Sequence, residues 1–404
     1  MRSTSNAASE EAAALLSAAA VRERCEIVFA AAERAKTPHF RVVSERLVEA
    51  VERVVAVTCR RHPDLTVPYH SRWRHFSVGE VDRAALIAPG AGKTETTRAQ
   101  IDLAIVSVLL DAGVGAGWRF REAQTGQVWS RSEGLAVASL RAVQSGLFSV
   151  DAANPWRADA EALSDLSADT LARAFQHGAD NELVGIDGRE ALLRRTGQVC
   201  AARPDLFGSP PRLGNLFDYW SAEFHEIPAP EILRTLLHAF GPIWPGRLSL
   251  GGVPLGDCGR HSVVPGDGLV PFHKLSQWLV YSLVEPLTDG GLRVTQLDGL
   301  TGLAEYRNGG LFIDCGVIEP RDPTLFQRPL DADSEAVVEW RALTVVLLDR
   351  LAARMRERLD KNAEEFPLAC VLEGGTWAAG REIALERRPD GSAPLKILSD
   401  GTLF

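Results

Sequence analysis

The chain has 404 residues with 44 Lys+Arg against 53 Asp+Glu, a formal net charge of −9. Hydrophobic residues make up 46% and charged residues 24%, the balance of a chain that can bury a core and offset its conformational entropy. Extended disorder is excluded, and the acidic balance argues against a duplex-DNA binder, which needs a basic footprint. The six cysteines form no CxxC pair, so a zinc ribbon or finger is not expected. No run reaches ~18 uncharged apolar residues. Glu10 and Glu11 interrupt the Ala-rich N-terminus where a signal peptide needs an apolar stretch. These features predict a cytoplasmic protein with reduced thiols, not bound to membrane or nucleic acid.

Residues 9–60 read as helices, interrupted at Pro38, with Val42, Val43, Leu47, Val51, Val54 and Val55 as an apolar stripe. Helical periodicity recurs over 98–111, ended by the Gly113, Gly115 and Gly117 run, and over 132–145, with Gly146 as its C′ residue. Further helices are predicted over 161–176, 188–202, 229–240 and 271–285, and a long one over 335–362. In the 271–285 segment Pro271 suits the first turn and Pro286 the stop. Strand signals are confined to Leu311–Phe312–Ile313 and to a tail hairpin over 381–397 with a Pro-Asp-Gly turn. The expected fold is mainly α: a flexible 1–10 segment, then one large helical domain over 11–404, built as two packed lobes with a small β element near the C-terminus.

Pro89–Thr94 ends like a phosphate-binding loop, in Gly-Lys-Thr. Its first glycine position is Ile87 and no strand signal precedes it, so a surface loop is the better reading.

Four segments are chemically better stocked. Tyr69–Phe76 packs His70, Arg72, Arg74 and His75 around Trp73, and two neighbouring guanidiniums suit a phosphate or carboxylate. Asp111 falls at a helix C-terminus, where the macrodipole disfavours an acid, so it needs a partner or a task. In the 271–285 helix Lys274, Gln277, Trp278 and Tyr281 fall on one face. A ligand-facing stripe and a core helix with a snorkelling lysine are both open there. Glu305 and Asp314 lie in a glycine-broken apolar segment. Carboxylates in such a setting can act as general acid or base or stabilise an oxocarbenium ion, or can serve as structural locks to arginine.

The blocks YHSRWRHF, SVLLDAG, RSEGLAVAS, PFHKLSQWL and LTGLAEYRNGG resemble the uracil-catabolism family of uncharacterised proteins, whose members occur beside a cyclohydrolase-like protein and a uracil phosphoribosyltransferase. Phe272–Gln277 and Leu300–Arg307 are also similar to two blocks of queuosine salvage proteins. Those are helical, DNA-glycosylase-like enzymes that cleave the N-glycosidic bond of a nucleoside monophosphate. Their catalytic aspartate falls on Glu305 here.

The resemblances imply a DNA-glycosylase-like fold and an N-glycoside hydrolase that releases urea from a 5′-phosphorylated ribosylurea-type compound. Glu305, with Asp314 as the second carboxylate, would be catalytic. Lys274, Arg307, Arg72 and Arg74 would hold the phosphate. Tyr306, Trp278 and Gln277 would pack on the sugar and urea, with His70, His75, His273 and Asp111 around them. No metal or cofactor is expected. The ring-opening cyclohydrolase is the expected functional partner. One rival is metal-assisted hydrolysis by His70, His75, His261 and His273 with Asp257 or Asp314. A second rival is a non-catalytic partner of the ring-opening enzyme.

Overall fold

A computed structural model describes residues 2–115, 117–244 and 248–398, with side chains from residue 9 onward. The protein is mainly α, and among the described residues strands occur only as short pairs. The chain forms two compact units: Met1–His70, Gly246–Gln277 and Gln296–Leu398 make the first, Ser71–Pro245 and Trp278–Thr295 the second.

In the first unit the 25-residue helix Glu335–Leu359 packs against Ala18–Glu33 and Leu47–Arg61. Its residues from Ala336 to Leu348 are all buried. A helix apolar all round belongs inside a core, and this one carries Glu339 and Arg341 inward with it. Each is matched. Glu339 accepts the Phe40 backbone N–H at 2.7 Å and bonds His261 Nε2 at 3.1 Å. Arg341 forms a fork with Asp257, both contacts at 2.8 Å.

Two expectations fail here. Leu311–Phe312–Ile313 is not a strand but part of the helix Tyr306–Asp314, whose residues Arg307 to Phe312 are buried. A short apolar run fits a buried helix as well as a strand, and Gly309 and Gly310 let this one pack closely. A Cβ on Gly309 would strike the Trp340 ring. The tail is not a hairpin either. Trp377–Arg387 is helical, and Lys396–Leu398 pairs in parallel with Pro329–Asp331 rather than folding back on its neighbour.

The second unit is organised on Lys93–Leu109, buried continuously from Ile101 to Leu109, which packs on Arg131–Gln144. Gly146, at φ +78°, takes the left-handed position expected after the second of these helices. The Pro89–Thr94 segment serves as the lead-in to the first, with Gly92 as its N-cap. Just past its C-terminal end Arg189 donates to the carbonyls of Leu110, Ala112 and Gly113 and so pins the turn that leaves the helix.

Pro271 and Pro286 depart from their expected roles. Pro271 ends the strand Leu269–Pro271, and the following helix runs Lys274–Gly290 with Pro286 inside it. A proline at 286 cannot donate to the Ser282 carbonyl. The Trp73 indole N–H donates to that carbonyl instead, at 2.7 Å, so the helix continues.

Candidate functional site

Two of the chemically stocked segments meet in the first unit. Gln277, fully buried, accepts the Thr301 N–H at 2.7 Å. Its amide nitrogen donates to the Thr301 hydroxyl at 2.6 Å and to the Phe272 carbonyl at 2.9 Å. The side chain that the sequence offered to a substrate is thus spent on holding the Leu300–Glu305 loop to the first turn of the Lys274–Gly290 helix. Asp257 fixes the same turn from below. It accepts the Lys274 N–H at 3.0 Å while pairing with Arg341, which also reaches the Ala304 carbonyl at 3.4 Å. Burial pushes the Asp257 carboxyl up, but the Arg341 charge and these hydrogen bonds outweigh it and hold its pKa down at about 2.

Glu305 sits at the end of this loop as the N-cap of Tyr306–Asp314. Its carboxylate accepts the backbone N–H groups of Arg307 at 2.8 Å and Asn308 at 2.6 Å. It is 8% exposed. Burial raises its pKa above the ordinary 4.5. The two backbone bonds and the nearby charges of Lys274 and His70 act in the opposite direction without cancelling that rise. Caps are usually Ser, Thr, Asp or Asn, which satisfy the same amides without burying a longer carboxylate. A glutamate held ionisable in this position is costlier than capping requires. Each oxygen keeps a further lone pair for a water or ligand. Beside it, Tyr306 is 41% exposed, and His70 is bound through Nδ1 to Glu373 at 2.8 Å.

The other expected residues of this unit lie differently. Asp314 forms a fork with Arg388, at 2.8 and 2.5 Å, at the far end of the helix that Glu305 begins. Nine steps of helical rise set the backbones of the two acids about 13 Å apart, against the roughly 5–9.5 Å between two carboxylates that flank one glycosidic bond. His273 is buried with Nε2 on the Leu15 carbonyl at 2.9 Å, and burial lowers its pKa, so it is a neutral donor to the fold. Arg307 is 5% exposed. It donates to the Gly391 carbonyl at 2.8 Å, its guanidinium lies 5.0 Å from the Tyr306 ring, and its Nε has no hydrogen-bond partner.

The second unit holds the arginine cluster. Arg72 is fully buried, with Asp111 at 3.1 Å, Ser107 Oγ at 2.6 Å and Ser132 Oγ at 3.0 Å. Its guanidinium lies 5.5 Å from the Trp278 ring, against which His75 packs edge-on at 5.9 Å. One guanidinium nitrogen, Nη2, has no partner. Arg74 pairs with Glu285, which also accepts the Ser71 hydroxyl at 2.8 Å. Asp111 therefore has the partner its place at a helix end demands.

Among the described residues no group of three His, Cys, Asp or Glu side chains is arranged to hold a metal ion. His70, His261 and His273, grouped in the metal reading, have the separate partners Glu373, Glu339 and the Leu15 carbonyl. No helix among the described residues is long and apolar enough to cross a membrane. Sequence reasoning missed Arg341, Glu373 and Thr301. The legible trace of Arg341 is a charge inside the apolar run EAVVEWRALTVVLL, which requires a buried partner.

The fold and this buried-carboxylate site define a mainly α protein with a glutamate-capped helix at its candidate centre. Residues 14–404 match the model of a family described as protein of unknown function, DUF1688, and the chain belongs to that family. It is 39% identical to protein urg3 of Schizosaccharomyces pombe over 413 residues, 98% of this chain and 99% of that one. It is 35% identical to uracil catabolism protein 4 of Lachancea kluyveri over 433 residues, 96% of this chain and 98% of that one. The resemblance carried by the five sequence blocks is thereby borne out.

Proposed function

We propose that the protein acts in uracil catabolism as an N-glycoside hydrolase, releasing urea from a 5′-phosphorylated ribosylurea-type compound. The observation that carries this reading is Glu305: a buried carboxylate with a raised pKa, at a helix N-terminus, with Lys274 and His70 close enough to act on its charge. The name of the Lachancea relative, uracil catabolism protein 4, supports the pathway. The likeness of Leu300–Arg307 to the catalytic block of queuosine salvage proteins supports the bond that is cleaved.

The C1′–N bond breaks with its electron pair leaving on the urea nitrogen, which takes up a proton from solvent that Glu305 later gives back, and positive charge develops at C1′. Ionised Glu305 stabilises that charge and draws a proton from the water that attacks C1′. Lys274 binds the phosphate, and exposed Tyr306 offers a face to the sugar. Arg341, Asp257 and Gln277 position these groups from beneath. The products are urea and ribose 5-phosphate.

The test is incubation of the purified protein with the product of the ring-opening enzyme, with free urea read by mass spectrometry. Stoichiometric urea and ribose 5-phosphate are expected. Binding of that compound without release of urea overturns the reading.

A further inference from the structure

The first unit holds a cavity of about 960 Å³ at the far end of the Glu305 helix. Its lining includes six basic side chains, Arg46, Arg53, Arg60, Arg387, Arg388 and Lys396, against four acidic ones. A local basic excess stands out in a chain of net charge −9. Apolar wall is supplied by Val57, Ile313, Ile318, Phe326 and Pro394. The volume is that of a site for a whole small molecule rather than one inorganic ion.

The arginines differ in how firmly they are held. Arg53 pairs with Glu386 and Arg60 with Glu382, all four side chains being 31–58% exposed. Such solvent-exposed pairs contribute little to stability, so an incoming dianion can replace the carboxylates at little cost. Arg388 is bound to Asp314, whose side chain is 6% exposed, and is a fixed part of the wall. Arg46 lies directly against Gly316, at φ +71°, where any side chain would meet its guanidinium.

One wall of the cavity is the strap 388–394. Arg388, Ser392, Ala393 and Pro394 line the cavity, while the Gly391 carbonyl accepts the Arg307 Nη1–H at 2.8 Å. The Arg307 backbone N–H is in turn donated to Glu305. Arg388 Nε also donates to the Ser392 carbonyl at 2.6 Å, which closes the strap on itself.

We infer that this cavity is a second ligand site, distinct from Glu305, for a small organic phosphate: a dianionic phosphate taken by the Arg53 and Arg60 side and an apolar or planar portion against Phe326 and Pro394. Phosphate is favoured over a simple carboxylate because more than one guanidinium lines the cavity, each able to give paired donors. Occupancy acts on the strap and, through Gly391 and Arg307, on the segment that carries Glu305. The inference stands apart from the N-glycosidase reading, because it is tested by binding rather than turnover.

The experiment is calorimetric titration of the full chain with a nucleoside monophosphate, inorganic pyrophosphate and citrate. Wild type and Lys274→Ala are expected to bind the nucleotide alike, and citrate more weakly. The double variant R53Q/R60Q, altered only at partly exposed pairs, is expected to lose at least ~tenfold in affinity for each lost charge contact. Its unliganded thermal midpoint serves as the control for folding. Hydrogen exchange is expected to slow over 388–394 on nucleotide binding. Undiminished binding in R53Q/R60Q, equal loss in Lys274→Ala, citrate binding as tightly as the nucleotide, or no binding at millimolar nucleotide would each overturn it.

Discussion

Gln277 and Thr301 share two hydrogen bonds, at 2.7 and 2.6 Å, across 24 residues of sequence, and neither side chain reaches solvent. This pair converts two sequence blocks into one rigid element: the amide of one holds both polar groups of the other, and Glu305 follows four residues later. Gln277→Leu keeps the volume but removes the acceptor of the Thr301 N–H and the donor to the Phe272 carbonyl. Each buried bond lost in this way costs about 1–3 kcal/mol, so chemical denaturation is expected to show a loss of roughly 2–6 kcal/mol. Turnover should fall through kcat more than KM, because the loop that presents Glu305 is loosened. An unchanged denaturation midpoint would count against this role.

Asp257 and Arg341 make a pH-dependent contribution. The Asp257 pKa is depressed in the folded protein to about 2 from an ordinary 3.8. A depressed carboxyl contributes stability that is present above its unfolded value and lost as pH falls through the folded one, here between about 3.8 and 2. Asp257→Asn removes that dependence and leaves Arg341 buried without its counter-charge, at a cost of about 3–5 kcal/mol at neutral pH. Acid unfolding curves of the two proteins are expected to converge near pH 2. Parallel curves across that window would refute the assignment.

The helices were legible because their apolar periodicity is strong: 132–145 and 229–240 fall within a residue of the observed Arg131–Gln144 and Ala229–Phe240. What was not legible depended on distant partners. Pro286 reads as a helix stop unless Trp73, more than 200 residues earlier, is known to supply the missing donor. The 381–397 tail reads as a hairpin because its turn residues are local, whereas Lys396–Leu398 pairs with Pro329–Asp331 far upstream. Glu305 was legible as a carboxylate set in a glycine-broken apolar segment. That Asp314 belongs to Arg388 instead was not, since their spacing of 74 residues carries no local signal.

Arg72, fully buried, and Asp111, partly buried, form a pair whose members depend on each other. Burial lowers the Arg72 pKa, and the Asp111 charge and hydrogen bond oppose that effect. Asp111→Ala leaves a guanidinium without its counter-charge and is expected to destabilise the fold by about 3–5 kcal/mol. Replacing both, as Arg72→Met with Asp111→Leu, is expected to recover much of that loss. Thermal melts of the single and double variants decide it. A double variant no more stable than Asp111→Ala would show that Arg72 is held mainly by Ser107 and Ser132.

Glu305→Gln separates catalysis from capping. The amide retains an acceptor for the Arg307 and Asn308 N–H groups but loses the negative charge. Removing one preorganised electrostatic group costs about 2.7–4 kcal/mol at the transition state, so kcat should fall ~10²–10³-fold with substrate affinity little changed. Stability should move the other way. The folded-state pKa of Glu305 is raised by burial, so its favourable contribution is present below the unfolded value of 4.5 and lost as pH rises through the raised one. At neutral pH the charge is a cost, and the glutamine variant should melt no lower than wild type. On the proposed mechanism, in which the ionised form acts, the acid limb of wild-type kcat should lie above 4.5. Lys274→Ala should weaken substrate binding with a smaller effect on kcat. A Glu305→Gln protein that melts well below wild type at neutral pH yet keeps its turnover would make Glu305 a structural cap and nothing more.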